Sequence, residues 1–152
     1  MKLGWDDILI QNPTSAETEA WLADWTFLDL GRVAPICLSR FGDWFLLRPS
    51  GEVFRLDVLE FQFERLAPSF DSFQTLLNDT DWQHDILLSW LVADLHDAGV
   101  VAGKRQCYGF APHPVFTGQI SKERVSLLDT MVWQSICAQT WKSCALPPSN
   151  SR

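Results

Sequence analysis

The chain has 152 residues and a mass of 17.3 kDa, which fits one domain and is short for two. Hydrophobic residues make up 47% and charged residues 20%, and eight Trp and ten Phe supply apolar area, so disordered, collagen-like, coiled-coil and disulfide-scaffold classes are excluded. Net charge is −7 and uneven: residues 1–100 hold 17 acids and 6 bases, and residues 101–152 hold 2 acids and 6 bases. The resulting balances of −11 and +4 leave the first two thirds of the chain unsuited to a phosphate backbone and suited to a basic protein partner. An acidic surface that only keeps the chain soluble is the plainer reading.

The first predicted element is a helix over residues 14–25. Thr14 and Glu17 have capping-box spacing, and Trp21, Leu22 and Trp25 fall on one face. Upstream, MKLGWDDILIQNP carries Asp6 and Asp7 in place of an apolar leader core, so it does not read as a signal peptide. No run of about 18 apolar residues predicts a membrane span, and a cytosolic chain with reduced thiols is expected. Three short strands follow in VAPICLS (33–39), DWFLLR (43–48) and EVFRLD (52–57). Arg40–Asp43 and Pro49–Gly51 are the connecting turns, with Gly51 able to take positive φ. Residues 59–64 alternate Leu59, Phe61 and Phe63 with Glu60, Gln62 and Glu64, as a fourth strand or as a linker packed by its aromatics.

Ser69 is placed to cap a helix that turns Phe70, Phe73, Leu76 and Leu77 inward. A longer helix is predicted from Thr80 or Asp81, with Thr80–Gln83 as capping box, to about Asp97, ending at Gly99. It carries two apolar arcs, Trp82–Ile86–Trp90–Ala93 and Leu87–Leu88–Leu91–Val92–Leu95, which predicts a central helix packed on both sides with Asp94 half-buried as a structural carboxylate. Residues 104–120 read as loop, with His113 between two prolines on its surface. Tyr108, Phe110 and Phe116 either anchor a partner or seal the core beneath that loop, the second being favoured. The last helix is predicted over about 129–141, with Val132, Trp133, Ile136, Cys137, Thr140 and Trp141 inward and Gln134, Ser135, Ala138 and Gln139 outward, followed by a frayed tail. One α+β domain results: a small antiparallel meander packed against several helices, spanning residues 1–152.

No nucleophile elbow, zincin or Walker motif surrounds His84, His96 or His113, and Cys37, Cys107, Cys137 and Cys144 lack metal-type spacing. Cys37 and Cys137 read as small core residues. Asp94 and His96 point apart on a helix and cannot chelate together. Gly99 and Gly103 lack the strand-to-helix context of a phosphate cradle. No catalytic residue, metal or cofactor is indicated.

The string Cys107-Tyr-Gly-Phe-Ala-Pro-His-Pro-Val-Phe-Thr-Gly118, then Val125-Ser-Leu-Leu-Asp129, then Trp133-Gln-Ser-Ile-Cys-Ala-Gln139, resembles the C-terminal domain family of type VI secretion immunity proteins, which protect against DNase toxins. FGDWFLLRPSGEVFRLDV is similar to the strand–hairpin–strand portion of that family, and the likeness runs over about residues 27–141. Phe116-Thr117-Gly118 stands where the family has an LGG step, and Cys137-Ala138-Gln139 where it has a glycine-containing one. The resemblance implies a short strand ending at Asp129 and a cytosolic, non-enzymatic chain. The resemblance further implies a cognate toxin, a nuclease, as partner, with no nucleic acid and no membrane bound. An acidic inhibitor suits the basic groove of such an enzyme. Candidate contacts are Asp81, Asp85, Ser89 and His96 on the long helix, Glu17, Glu19 and Asp24 on the first helix, and the aromatics Trp5 and Tyr108. The alternatives are a small hydrolase using Asp94, His96 or Cys107, and a scaffold for a non-toxin protein.

Overall fold

An unbroken apolar run such as Trp44–Leu47 suits a strand covered on both faces. In the computed structural model, which describes residues 3–145, it is the middle strand of a five-stranded antiparallel sheet. The elements preceding the meander are α1 (Trp5–Ile8), β1 (Leu9–Gln11), α2 (Ser15–Leu22) and a 3-10 turn over Ala23–Trp25. The meander itself is β2 (Ala34–Ser39), β3 (Trp44–Leu47), β4 (Val53–Asp57) and β5 (Gln62–Ala67), ordered β1-β2-β3-β4-β5. Next come α3 (Phe70–Leu77), α4 (Thr80–Asp85), α5 (Ser89–Asp97), β6 (Gln106–Phe110), α6 (Pro114–Thr117), a 3-10 turn at Lys122–Arg124, β7 (Val125–Asp129) and α7 (Thr130–Ala145). Strands β6 and β7 form a separate antiparallel pair. The α+β class and the antiparallel meander are as the sequence predicts.

Alternating side chains of β3 serve opposite layers. Phe45 meets Phe73 of α3 and Trp82 of α4, while Trp44 meets Trp21 of α2 on the other face. The Trp44 and Trp25 indoles each donate to Gln134 Oε1 of α7, at 3.0 and 2.8 Å. Gln134 Nε2 in turn donates to the Gly42 carbonyl, and Trp133 Nε1 to that of Phe41. Helix α7 is thereby fastened to the β2–β3 turn. Gly42 has φ +100°, and a Cβ there would lie 2.9 Å from the Trp133 ring, so the close approach requires glycine. Arg40 is buried at the end of β2 and donates to the carbonyls of Asp6, Gly103, Lys104 and Gln106, joining α1 to the chain entering β6.

Several expectations hold locally. Thr14 and Glu17 form the capping box of α2, and Ser69 caps α3. Gly51 takes φ +95° in the β3–β4 turn. After α5, Gly99 and Val100 donate to His96 and Leu95 in a Schellman arrangement. Cys37, Cys107 and Cys137 are buried and free, and the strand ending at Asp129 is present.

Other expectations are corrected. The long helix breaks into α4 and α5, with Leu88 in the left-handed region at φ 55°, ψ 42°. Ile86, Leu87 and Leu88 on one helix would point in three directions about 100° apart. The break sends Leu87 into the core and leaves Ile86 and Leu88 half-buried beside it. Of the two apolar arcs, Trp82 alone lies in α4; Ile86, Leu87 and Leu88 form the junction, and Trp90, Leu91, Val92, Ala93 and Leu95 lie in α5, where Asp94 is exposed. Asp79, not Thr80, caps α4, accepting from the Asp81 and Trp82 amides, and Gln83 reaches back to the Leu77 carbonyl. The segment read as loop contains β6 and α6, and the strand expected over 59–64 starts only at Gln62 because Phe61 turns at φ 61°. Phe70 is partly exposed, at 40%, beside Phe73. The buried stripe of α7 is Trp133, Gln134, Cys137, Ala138 and Trp141, so Val132 and Ile136 face solvent and Gln134 and Ala138 face inward. A polar residue takes the core position because three buried groups need it. Helix α7 runs on to Ala145; the rest of the tail read as frayed lies outside the described residues.

Candidate functional site

On β4, Arg55 and Asp57 share the sheet face that carries Phe45. Asp43, just ahead of β3, lies beside them. Arg55 Nη2 contacts Asp43 Oδ2 at 2.8 Å and Asp57 Oδ2 at 3.3 Å. The second oxygen of each carboxylate accepts from backbone: Asp43 Oδ1 from Val58 N–H, and Asp57 Oδ1 from Leu59 and Glu60 N–H, all at 3.0 Å. Asp43 is almost wholly buried, and loss of water pushes its carboxyl up to about 6, against the pull of Arg55. Arg55 is held above its ordinary value by the two carboxylates, although its own burial opposes this. Its Nε is buried without a partner.

This triad is the floor of a cavity of about 420 Å³. One wall is the α4–α5 junction, with Asp85, Ile86 and Leu88; the other is α6 and the chain after it, with Pro114, Val115 and Ile120. Leu59 and Glu60 of the β4–β5 turn complete it. The broken helix therefore builds one wall. His113 positions the other: its Nε2–H donates to the Val58 carbonyl at 2.9 Å, and its Nδ1 accepts the Val115 amide at 3.0 Å. Only that neutral tautomer makes both bonds. Its ring stacks on Phe61 and Trp133, and burial lowers its pKa. The expectation of a surface histidine is thus corrected, because the ring is 3% exposed.

Four carboxylates and one guanidinium meet in this cavity. Arg55 offsets one of the two deep carboxylates' charges, and Glu60 and Asp85 are exposed. Beside Val115, Phe116 is 64% exposed. A charged recess with an apolar rim can hold a cationic group at its mouth; its inner carboxylates have both oxygens engaged.

Of the residues singled out from sequence, Asp85 alone lines this cavity. Asp81 is exposed one turn before it, whereas Ser89 and His96 are half-buried on α5, so the helix break divides the polar strip. Glu17 is committed to its cap and to Arg105, 2.8 Å away, while Glu19 and Asp24 are exposed on the α2 segment. Trp5 is 42% exposed. Tyr108 is corrected as a partner contact: it is fully buried, with its hydroxyl accepting from Ala102 N–H, and its ring packs tilted against Phe41. Phe110 is likewise buried, while Phe116 stands out from the fold. Cys107 is sealed in the core, where burial pushes its thiol up to about 12, whereas Asp94 faces solvent. These residues do not assemble into a nucleophile and base. Asp43, Arg55, Asp57 and Glu60 were not singled out. The alternation of Arg55 and Asp57 on one face of a strand was a signal for two of them, but their pairing with Asp43 depends on strand register.

The fold and cavity define an α+β domain with an acidic recess between its sheet and a broken helix. Among the described residues, no group of three His, Cys, Asp or Glu is arranged to hold a metal ion. No helix there is long and apolar enough to cross a membrane. No protein-family model matches the chain, and no curated protein matches it.

Proposed function

We propose that this protein is a non-catalytic binding protein that neutralises a cognate bacterial toxin, a type VI secretion nuclease, by stoichiometric complex formation in the producer's cytosol. The observation that carries the reading is the division of labour among its acids. The buried carboxylates Asp43 and Asp57 are bonded to Arg55 and to backbone, which suits a structural role. The acids exposed on the surface, including Glu19, Asp24, Glu60, Asp81 and Asp85, are available to a basic surface. The groove of a nuclease is such a surface, because it must attract phosphate. The resemblance in residues 107–139 supports the same reading.

A small hydrolase is the second reading, favoured by one observation: a carboxyl raised to about 6 within a cavity. The bonds that hold both oxygens of Asp43 argue against its transferring a proton to substrate. Capture of the tagged protein from its own host under toxin-expressing conditions, with mass spectrometry, separates the readings. A stoichiometric nuclease whose DNA cleavage stops on complex formation is the expected outcome. Recovery of no toxin, or of a metabolic enzyme alone, overturns the proposal.

A further inference from the structure

We infer that the recess between β4, the α4–α5 junction and α6 is an anchor site for one lysine or arginine side chain of the protein partner. The inference rests on the toxin-binding reading and names where the partner is gripped. Three observations lead to it. The cavity holds about 420 Å³, room for one long side chain with its solvent. Its charge is one-sided. Arg55 lies between Asp43 and Asp57 and leaves that triad at −1, and exposed Glu60 and Asp85 bring the site to −3. A cation entering between Glu60 and Asp85 meets two exposed carboxylates outside the Arg55 ion pairs, Asp85 Oδ1 also contacting the exposed His84 Nδ1 at 3.0 Å, and an anion meets net repulsion.

The walls fit the rest of such a side chain. Ile86 and Val115 offer apolar surface to a methylene stem while the charged head stays with the carboxylates. Phe116 extends this surface beyond the cavity at 64% exposure. A free small cation lodged inside would leave Phe116 uncovered, whereas a protein surface around the inserted side chain would bury it. Aromatic residues, Phe among them, and Arg are enriched at protein interfaces. Leu88, held in its left-handed conformation, and His113, bonded to Val58 and Val115, fix the two walls in the unbound chain. Little ordering is then left to oppose binding.

The test uses Nα-acetyl-arginine methylamide as probe, with the neutral citrulline analogue as control, followed by methyl NMR on the intact chain. Saturable shifts of the Ile86, Val115 and Ile120 methyls with the arginine probe, at a dissociation constant of roughly 1 mM, and at least tenfold weaker response to citrulline, are expected. The Glu60→Gln/Asp85→Asn variant changes only exposed residues and is expected to lose the response, whereas Glu19→Gln on α2 keeps it. Equal shifts with citrulline, an unchanged response in the double variant, or no shifts at all overturn the anchor site. Those results leave the toxin-binding reading standing, since capture of the nuclease tests it separately. Conversely, a chain that takes the arginine probe but captures no toxin loses that reading and keeps a cation-accepting recess.

Discussion

Gln134 illustrates how one side chain can hold several layers together. Its amide serves the indoles of Trp25 and Trp44 and the carbonyl of Gly42, all buried. Replacing it by Leu keeps the volume and strands three polar groups, each worth about 1–3 kcal/mol when unsatisfied. Gln134→Leu is expected to lower stability by about 3 kcal/mol or more, a fall in Tm of roughly 10 °C, by thermal unfolding. An unchanged Tm would show that the indoles find other acceptors. Asp43 and His113 give opposite pH dependences. The folded chain resists protonation of His113, so that residue makes stability fall as pH drops below about 6.5. Asp43 binds its proton more readily folded than unfolded, so between about 6 and the ordinary value of 3.8 it makes stability rise as pH falls. Urea midpoints from pH 7 to 4 are expected to fall less in His113→Gln than in the parent chain, and more steeply in Asp43→Asn. Parallel curves for all three would remove both assignments. Neither residue's role was legible from sequence. His113 between two prolines resembles a loop residue until α6 folds it onto Val58, and Asp43 becomes buried only when β3 and β4 pair.

At the scale of elements, what the sequence revealed depended on whether the signal was local. The Thr14–Glu17 box, the Ser69 cap and the Gly99 terminus are written within a few residues, and each is where it was read. The helix expected over 80–97 is two helices, because its periodicity continues through a break imposed by tertiary packing. Three large apolar residues in succession, Ile86–Leu88, were the sign that one helix could not bury them all. Asp79 is hard to single out from sequence because Thr80 is a plausible cap one residue later. Asp79→Ala is expected to reduce stability by about 1 kcal/mol, by urea denaturation, and Thr80→Ala by much less. The reverse order would restore the original capping box. Helix α7 departs from its hydropathy for a similar reason: the apolar residues Val132 and Ile136 read as core, but the polar Gln134 has the buried partners. Hydropathy alone carries no record of a hydrogen bond to a residue some ninety positions away.

At the scale of the whole molecule, the charge asymmetry and the α+β class were legible from composition and period, and the recess was not. It draws on Asp43, Arg55, Glu60, Asp85 and Val115, which are scattered over more than seventy residues and meet only in the fold. The net charge of −7 gives the account a signature in solution. If acidic groups steer and hold a basic toxin, affinity should weaken about tenfold or more between 50 and 500 mM salt, as the screening length shrinks. Calorimetry with the captured toxin checks this, and salt-independent nanomolar binding would argue against acidic groups holding the basic groove. The most direct test of the central claim is titration of the captured nuclease's DNA cleavage with the purified protein. The account predicts a linear loss of activity that reaches zero at one inhibitor per toxin. Cleavage that continues undiminished in the presence of a large excess would contradict it.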